Sequence, residues 1–297
     1  MKNILNYKSV KILISIILLS LILLSPSIAA NQLDNSLTIN KEALKQGEVL
    51  TIKIDTSSPI TKIFFNNETY KTRKLNGNKI TLIPISYWTK PGQYTLKISA
   101  QKQTLNKSIT VLSGDFDNSY LEVNQEMEEI VNPDKEEIIK KKKEDKQLIN
   151  KARSSSSPQK LWSSNFIWPV QGEISTDFGA ARYINNELQS RHSGIDIAVK
   201  IGTEVKATND GVVKLANNLL VTGKTIIIDH GWNVFSGYSH LSKIDVNVGE
   251  KVKRAQKIGE IGSTGFSTGP HLHWTIKINS IYINPKSIVN NKQFILK

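Results

Sequence analysis

Polar and apolar side chains alternate along Glu48-Val49-Leu50-Thr51-Ile52-Lys53-Ile54, as expected of a strand with one face buried. Thr61–Phe65, Lys79–Ile85 and Gln93–Ser99 read the same way, and Ser57-Ser58-Pro59, Asn66-Asn67, Asn76-Gly77-Asn78 and Lys90-Pro91-Gly92 supply turns between them. Short strands broken by turns at this spacing predict a β-sandwich-like module over residues 31–113. The module has no histidine and no acidic cluster of catalytic character. It reads as a spacer, a binding unit or a guard for a site elsewhere.

The pattern changes over residues 114–160, which predict a helical, flexible linker. Asn132-Pro133-Asp134 has the form of a helix start, with asparagine as cap, proline in the first turn and acids after it. Glu136 and Glu137 suit the positive end of the helix dipole, and Lys140–Lys143 lie further along. Ile138/Ile139 and Leu148/Ile149 make a weak apolar stripe, so the helix is expected to be mostly solvated. Ser154-Ser155-Ser156-Ser157-Pro158 then reads as a flexible joint.

From residue 161 to 297 glycines and short β-type runs alternate: Glu204–Ala207, Val212–Ala216, Thr225–Asp229, Lys257–Ile261 and His273–Ile278. No long helical period appears. The expected fold is mostly β: an N-terminal sandwich-like module, a helical linker and a C-terminal β-sheet domain with long loops.

Residues 1–30 have the pattern of a signal peptide. Lys2, Lys8 and Lys11 precede an apolar run from Ile12 to Leu24, and small residues up to Ala29-Ala30 suit cleavage there. The apolar run is shorter than the ~20 residues a spanning helix needs, so the expectation is export to a periplasm, cell wall or extracellular space, with membrane contact confined to export. The chain has no cysteine, which excludes disulfides and lipid attachment at cysteine. The cores alone must hold the fold, and about 265 mature residues allow two of them. The formal charge of +13 falls to +10 once the three lysines of residues 1–30 are removed. Such a surface attracts polyanions. Nucleic acid does not fit an exported chain without a recognition motif. Anionic envelope polymers fit better, and a lysine-rich proteome explains the charge as well.

The chemistry lies in the histidines. Four of the five fall in His192-Ser193-Gly194-Ile195-Asp196, Tyr238-Ser239-His240-Leu241 and Gly269-Pro270-His271-Leu272-His273-Trp274. Without cysteine, a metal site must use histidine and carboxylate. His271 and His273, two apart in a strand-like run, share one face, as do His192 and Asp196 four apart. Catalytic zinc takes three protein ligands and leaves a position open. His192, Asp196 and one of His271 and His273 would supply three, leaving two histidines for general acid–base work. The fifth, His230, at the end of a strand-like run, reads as structural. Tyr238 is a candidate substrate contact or a packing residue.

These motifs, in order, resemble the lysostaphin/LytM-type zinc endopeptidases of bacterial cell walls. The resemblance covers residues 161–286 and runs through Phe178-Gly179 with Arg182, His192–Ala198, Asp210-Gly211-Val212-Val213, Ile228–Gly231, Tyr238–Ser242, Gly262–His273 and Asn284-Pro285. It implies a β-sheet catalytic domain with His192, Asp196 and His273 as zinc ligands. It implies His240 and His271 as the catalytic pair, with hydrolysis of peptidoglycan stem or cross-bridge peptides by a zinc-activated water. Val199–Glu204 and Lys224 depart from the family pattern without touching an inferred ligand. Relatives that act only as activators of other hydrolases have lost ligands, and this chain keeps them all. The second reading is a non-catalytic peptidoglycan-binding regulator of another wall hydrolase.

Overall fold

The computed structural model describes residues 34–55, 60–100, 103–121, 129–130, 133–184 and 187–289. The expected signal peptide lies outside them. No helix among the described residues is long and apolar enough to cross a membrane.

The N-terminal module is a sandwich of two sheets. One runs β1 (Leu37–Ile39), β3 (Val49–Asp55), β7 (Asn78–Pro84), β6 (Arg73–Leu75); the other runs β2 (Ala43–Lys45), β9 (Gln103–Leu112), β8 (Gly92–Ala100), β4 (Ile60–Phe65), β5 (Glu68–Tyr70). Leu50, Ile52 and Ile54 of β3 meet Ile63, Leu96, Ile98 and Ile109 between the sheets. Alternate residues of the same strands do something else. Val49, Ile80 and Leu82 turn outward and join the core of the C-terminal domain. The first sheet is therefore buried on both faces, which is why Lys79–Ile85 carries more apolar residues than strict alternation needs.

The C-terminal domain is built on a ten-stranded sheet. Its main order is β11 (Glu173–Thr176), β14 (Ile195–Ala198), β21 (His271–Ile278), β18 (Val234–Ile244), β17 (Gly223–Asp229), β16 (Gly211–Leu219), β19 (Lys251–Val252). β15 (Glu204–Lys206) and β20 (Lys257–Ile261) pair beside β18, and β22 (Ile281–Ile283) extends β21. A third sheet joins β10 (Asn118–Leu121), in parallel, to the hairpin of β12 (Ala181–Ile184) and β13 (Glu187–Arg191). Part of the expected linker is thus a strand of the C-terminal half.

Helix α1 spans Glu136–Arg153. It starts later than the sequence suggested: Lys135 occupies the cap position with no side-chain cap, and Pro133 and Asp134 are non-helical. Asn132 lies outside the described residues. The helix is mostly solvated, as expected, but its second half also has a packed side. In the second half Leu148, Ile149 and Ala152 pack on Leu215, Leu219, Ile227 and Phe235, covering the outer face of the large sheet. Asp145 accepts the Leu220 backbone N–H at 2.6 Å, and Arg153 donates to the Tyr282 hydroxyl at 2.7 Å.

The serine-rich stretch after α1 is no flexible joint. Its hydrogen-bonding groups find a buried carboxylate. Asp229 accepts from Ser156 Oγ at 2.6 Å, from Ser157 N–H at 2.8 Å and from Gly231 N–H at 2.8 Å, and Trp232 N–H donates to Ser157 O.

Candidate active site

Period-two alternation places the chemistry. On β21, Leu272, Trp274 and Ile276 are buried in the core while His271 and His273 take the opposite face; on β14, Ile195 and Ile197 go to the core and Asp196 opposes them. Antiparallel register makes Asp196 the direct partner of His273 and Ala198 that of His271. His192 precedes β14, and Gly194 lets the chain turn tightly against β21: a Cβ there would lie 2.3 Å from Trp274 O. His240 sits where β18 leaves β21, after the Ser239–His273 pair, and joins β20 at Leu241–Ile261. The bend puts His240 in the left-handed region at φ 61, a costly conformation of the kind that concentrates at functional sites.

The ligating atoms of His192, Asp196 and His273 lie within 4.8 Å of one another. His273 Nδ1 is 2.7 Å and His192 Nε2 is 3.0 Å from Asp196 Oδ1, and the two imidazole nitrogens are 3.0 Å apart. His192 Nδ1–H donates to Asp177 O at 2.8 Å, which fixes the tautomer. His192 Nε2 is thereby directed at a carboxylate oxygen and at another ring nitrogen. Lone pairs gathered this closely suit a cation among them, and one carboxylate with two imidazoles is a zinc donor set. The residues present therefore fit zinc.

The electrostatics agree. Burial would raise the Asp196 carboxyl, but its contacts with His192 and His273 outweigh that and hold it well below the usual carboxylate range. Burial pushes the His273 imidazole down to about 4. It pushes His240 down to about 3, aided by the neighbouring His273 and His271. Near neutral pH these rings are unprotonated, as metal ligands and bases must be.

His240 and His271 stand beside the ligands with ring centroids 4.7 Å apart. Backbone carbonyls fix both tautomers: His240 Nδ1–H donates to Thr264 O and His271 Nδ1–H to Gly269 O, each at 2.8 Å. Each Nε2 is left for the groove, and that of His271 is 3.9 Å from Asp196 Oδ1. The groove encloses about 470 Å³. One wall is the β12–β13 hairpin with Arg182 and Arg191; the other is formed by Val221-Thr222 and by Phe266–Pro270. Phe266 N–H donates to Val221 O, which locks those two loops together. Arg182 Nη2 approaches Asp196 Oδ2 at 3.6 Å.

All five residues expected in the site are brought together. Tyr238 is not with them, and its reading as a substrate contact is corrected. It is fully buried, and its hydroxyl accepts the Thr208 N–H at 2.9 Å and lies 3.0 Å from Ser236 Oγ. His230 is structural, as expected: its Nδ1–H donates to Asp210 O at 2.7 Å, and its Nε2 is 2.8 Å from Ser236 Oγ. The groups that orient the site histidines are the carbonyls of Asp177, Thr264 and Gly269. A carbonyl belongs to every residue, so no sequence signal marks them. Among the described residues, none of the N-terminal sandwich lines the groove, which does not fit the reading of it as a guard lying over the site.

Residues 190–285 match the profile of Peptidase family M23. A Pseudomonas aeruginosa protein assigned to peptidase M23 has a crystal structure that aligns with 84% of this chain and 95% of its own, at 28% identity and a TM-score of 0.60. The chain is 39% identical over 120 residues to the peptidoglycan DD-endopeptidase ShyA of Vibrio cholerae, covering 39% of this chain and 28% of that protein. It is 36% identical over 133 residues to the murein hydrolase activator NlpD of Salmonella dublin, covering 44% of this chain and 32% of that protein. The chain thus spans about a third or less of the length of these curated relatives.

Proposed function

Because residues 190–285 form a peptidase family M23 domain, a family of zinc-dependent metallopeptidases, we propose that this protein is an exported endopeptidase. Its substrates are peptide bonds in the stem peptides or cross-bridges of peptidoglycan, and it works in a periplasm or cell wall. One observation carries the reading. Three converging ligands and two further imidazoles, each with a free Nε2, share a single groove. A purely structural metal would not need the second pair.

His192, Asp196 and His273 would hold the zinc, which supplies Lewis acidity toward a carbonyl oxygen and toward water. The chain's own groups do the rest. The His240 and His271 imidazoles accept the proton as water oxygen bonds to the peptide carbonyl carbon. They return it to the amine nitrogen as the carbon–nitrogen bond breaks. The carbonyls of Thr264 and Gly269 keep both Nε2 atoms turned to the groove throughout.

The test uses the mature chain with purified peptidoglycan and equimolar zinc. New free amino groups, with fragments assigned by mass spectrometry, are the expected result. Zinc bound with no release would favour the second reading, a wall-binding regulator, for which the similarity to a murein hydrolase activator speaks.

A further inference from the structure

We propose that the N-terminal sandwich positions the zinc ligand His192, acting through Phe178. The inference rests on the ligand set above and not on which bond is cut.

His192 hangs on one short segment. Its ring donates to Asp177 O at 2.8 Å, its backbone N–H donates to Ala180 O at 2.8 Å, and its carbonyl accepts from Gly179 N–H at 2.9 Å. Residues 177–180 are the connection between β11 and β12. Asp196 and His273, by contrast, are fixed by their own strand pairing. The orientation of one ligand therefore depends on a loop while the other two belong to the sheet.

Phe178, at the centre of that loop, is buried in the shared core, and residues from outside the catalytic domain lie against its ring. Its ring centroid lies 5.4 Å from that of Tyr87 in the sandwich and 6.1 Å from that of Phe116 in the following segment. Sandwich residue Gly47 comes so close that a Cβ there would sit 2.6 Å from the Phe178 ring. The contact surface is itself held. Gln46 donates to Tyr87 O and Thr89 O and accepts from Gly114 N–H, and Asn284 N–H donates to Gly47 O. On the other side Lys286 Nζ grips the Asp177 carboxylate. A shift of the sandwich is transmitted to Phe178, hence to the Asp177 carbonyl, hence to the His192 ring. Phe178 and Tyr87 are positioning residues on this account.

The test is made in the full mature chain by chelator competition for zinc, with the visible absorption of the cobalt-substituted protein as a second readout. Loss of an orienting partner typically costs about 10- to 100-fold in metal affinity. Tyr87→Ala and Phe178→Ala should weaken zinc by roughly 10-fold or more and alter the cobalt spectrum, while Tyr87→Phe, which keeps the ring, restores both. Ile109→Val, in the sandwich core away from Phe178, should lower the melting temperature and leave zinc affinity unchanged. Zinc affinity within about twofold of the parent in folded Tyr87→Ala would overturn the proposal even if Phe178→Ala fails to fold. So would an equal loss in Ile109→Val. His192→Ala keeping full affinity would remove the ligand premise instead.

Discussion

Acidification should strip this fold of a stabilising contribution from one histidine that plays no part in the chemistry. His230 is fully buried, and desolvation pushes it from 6.5 down to about 4, against smaller opposing effects of the Asp210 carbonyl and the Asp229 charge. A depressed folded-state value means the unfolded chain takes up the proton first as pH falls. The contribution is therefore complete above about pH 6.5 and is lost as pH drops toward 4. At 1.36 kcal/mol per unit the completed loss is about 3 kcal/mol, most of which falls between pH ~7.5 and ~4.5. The buried His273 and His240 are also pushed down, to about 4 and about 3, so wild type alone does not isolate the effect. Urea unfolding of wild type and His230→Gln at both pH values does. His230→Gln is less stable at pH ~7.5 because it disrupts the contacts with Asp210 O and Ser236, but wild type should lose about 2–3 kcal/mol more than the variant on acidification. Parallel losses in the two proteins would refute the reasoning.

His192→Ala, Asp196→Ala and His273→Ala should each lose zinc and activity together by metal analysis and peptidoglycan turnover. His240→Ala and His271→Ala should keep about one zinc per chain while turnover falls roughly 10²- to 10⁴-fold; zinc missing from His271→Ala would reverse the assignment of the HxH pair. Gly194→Ala drives a methyl into Trp274 O and should cost about 1–3 kcal/mol in urea unfolding, with weaker zinc binding as β14 lifts from β21. Asp229→Asn weakens the anchoring of Ser156 and Ser157. It should cost about 1–3 kcal/mol and speed limited proteolysis within residues 154–158; an unchanged digestion rate would count against the anchoring.

The site was legible in the sequence because its spacing is local. His192 with Asp196, and His271 with His273, lie within single strands or turns, and a period of two fixes their faces. The choice of His273 over His271 as the metal ligand came from resemblance alone; in the β14–β21 register His273 is the one opposite Asp196. For Tyr238 the sequence left substrate contact and packing open, because a motif reports neighbours in the chain, whereas its hydroxyl is engaged by Thr208, 30 residues away. The serine run was misjudged for the same reason. Four serines look flexible until Asp229, more than 70 residues on, accepts hydrogen bonds from two of them, Ser156 and Ser157. Lys79–Ile85 held an unused clue. Ile80 and Leu82 leave the sandwich core and enter the other domain's core, so apolar residues on both faces of one strand marked the contact between the halves.

Parallel pairing of β10 with β12 bears on how the catalytic half can be handled. A fragment begun at Leu161 would strip β10 from the hairpin, uncovering a row of unpaired backbone groups open to strand addition from another chain. It would also bare Leu215, Leu219, Ile227 and Phe235 beneath α1. Fragments carrying the C-terminal domain should therefore start upstream of Asn118, since shorter excisions are expected to self-associate before they can be assayed.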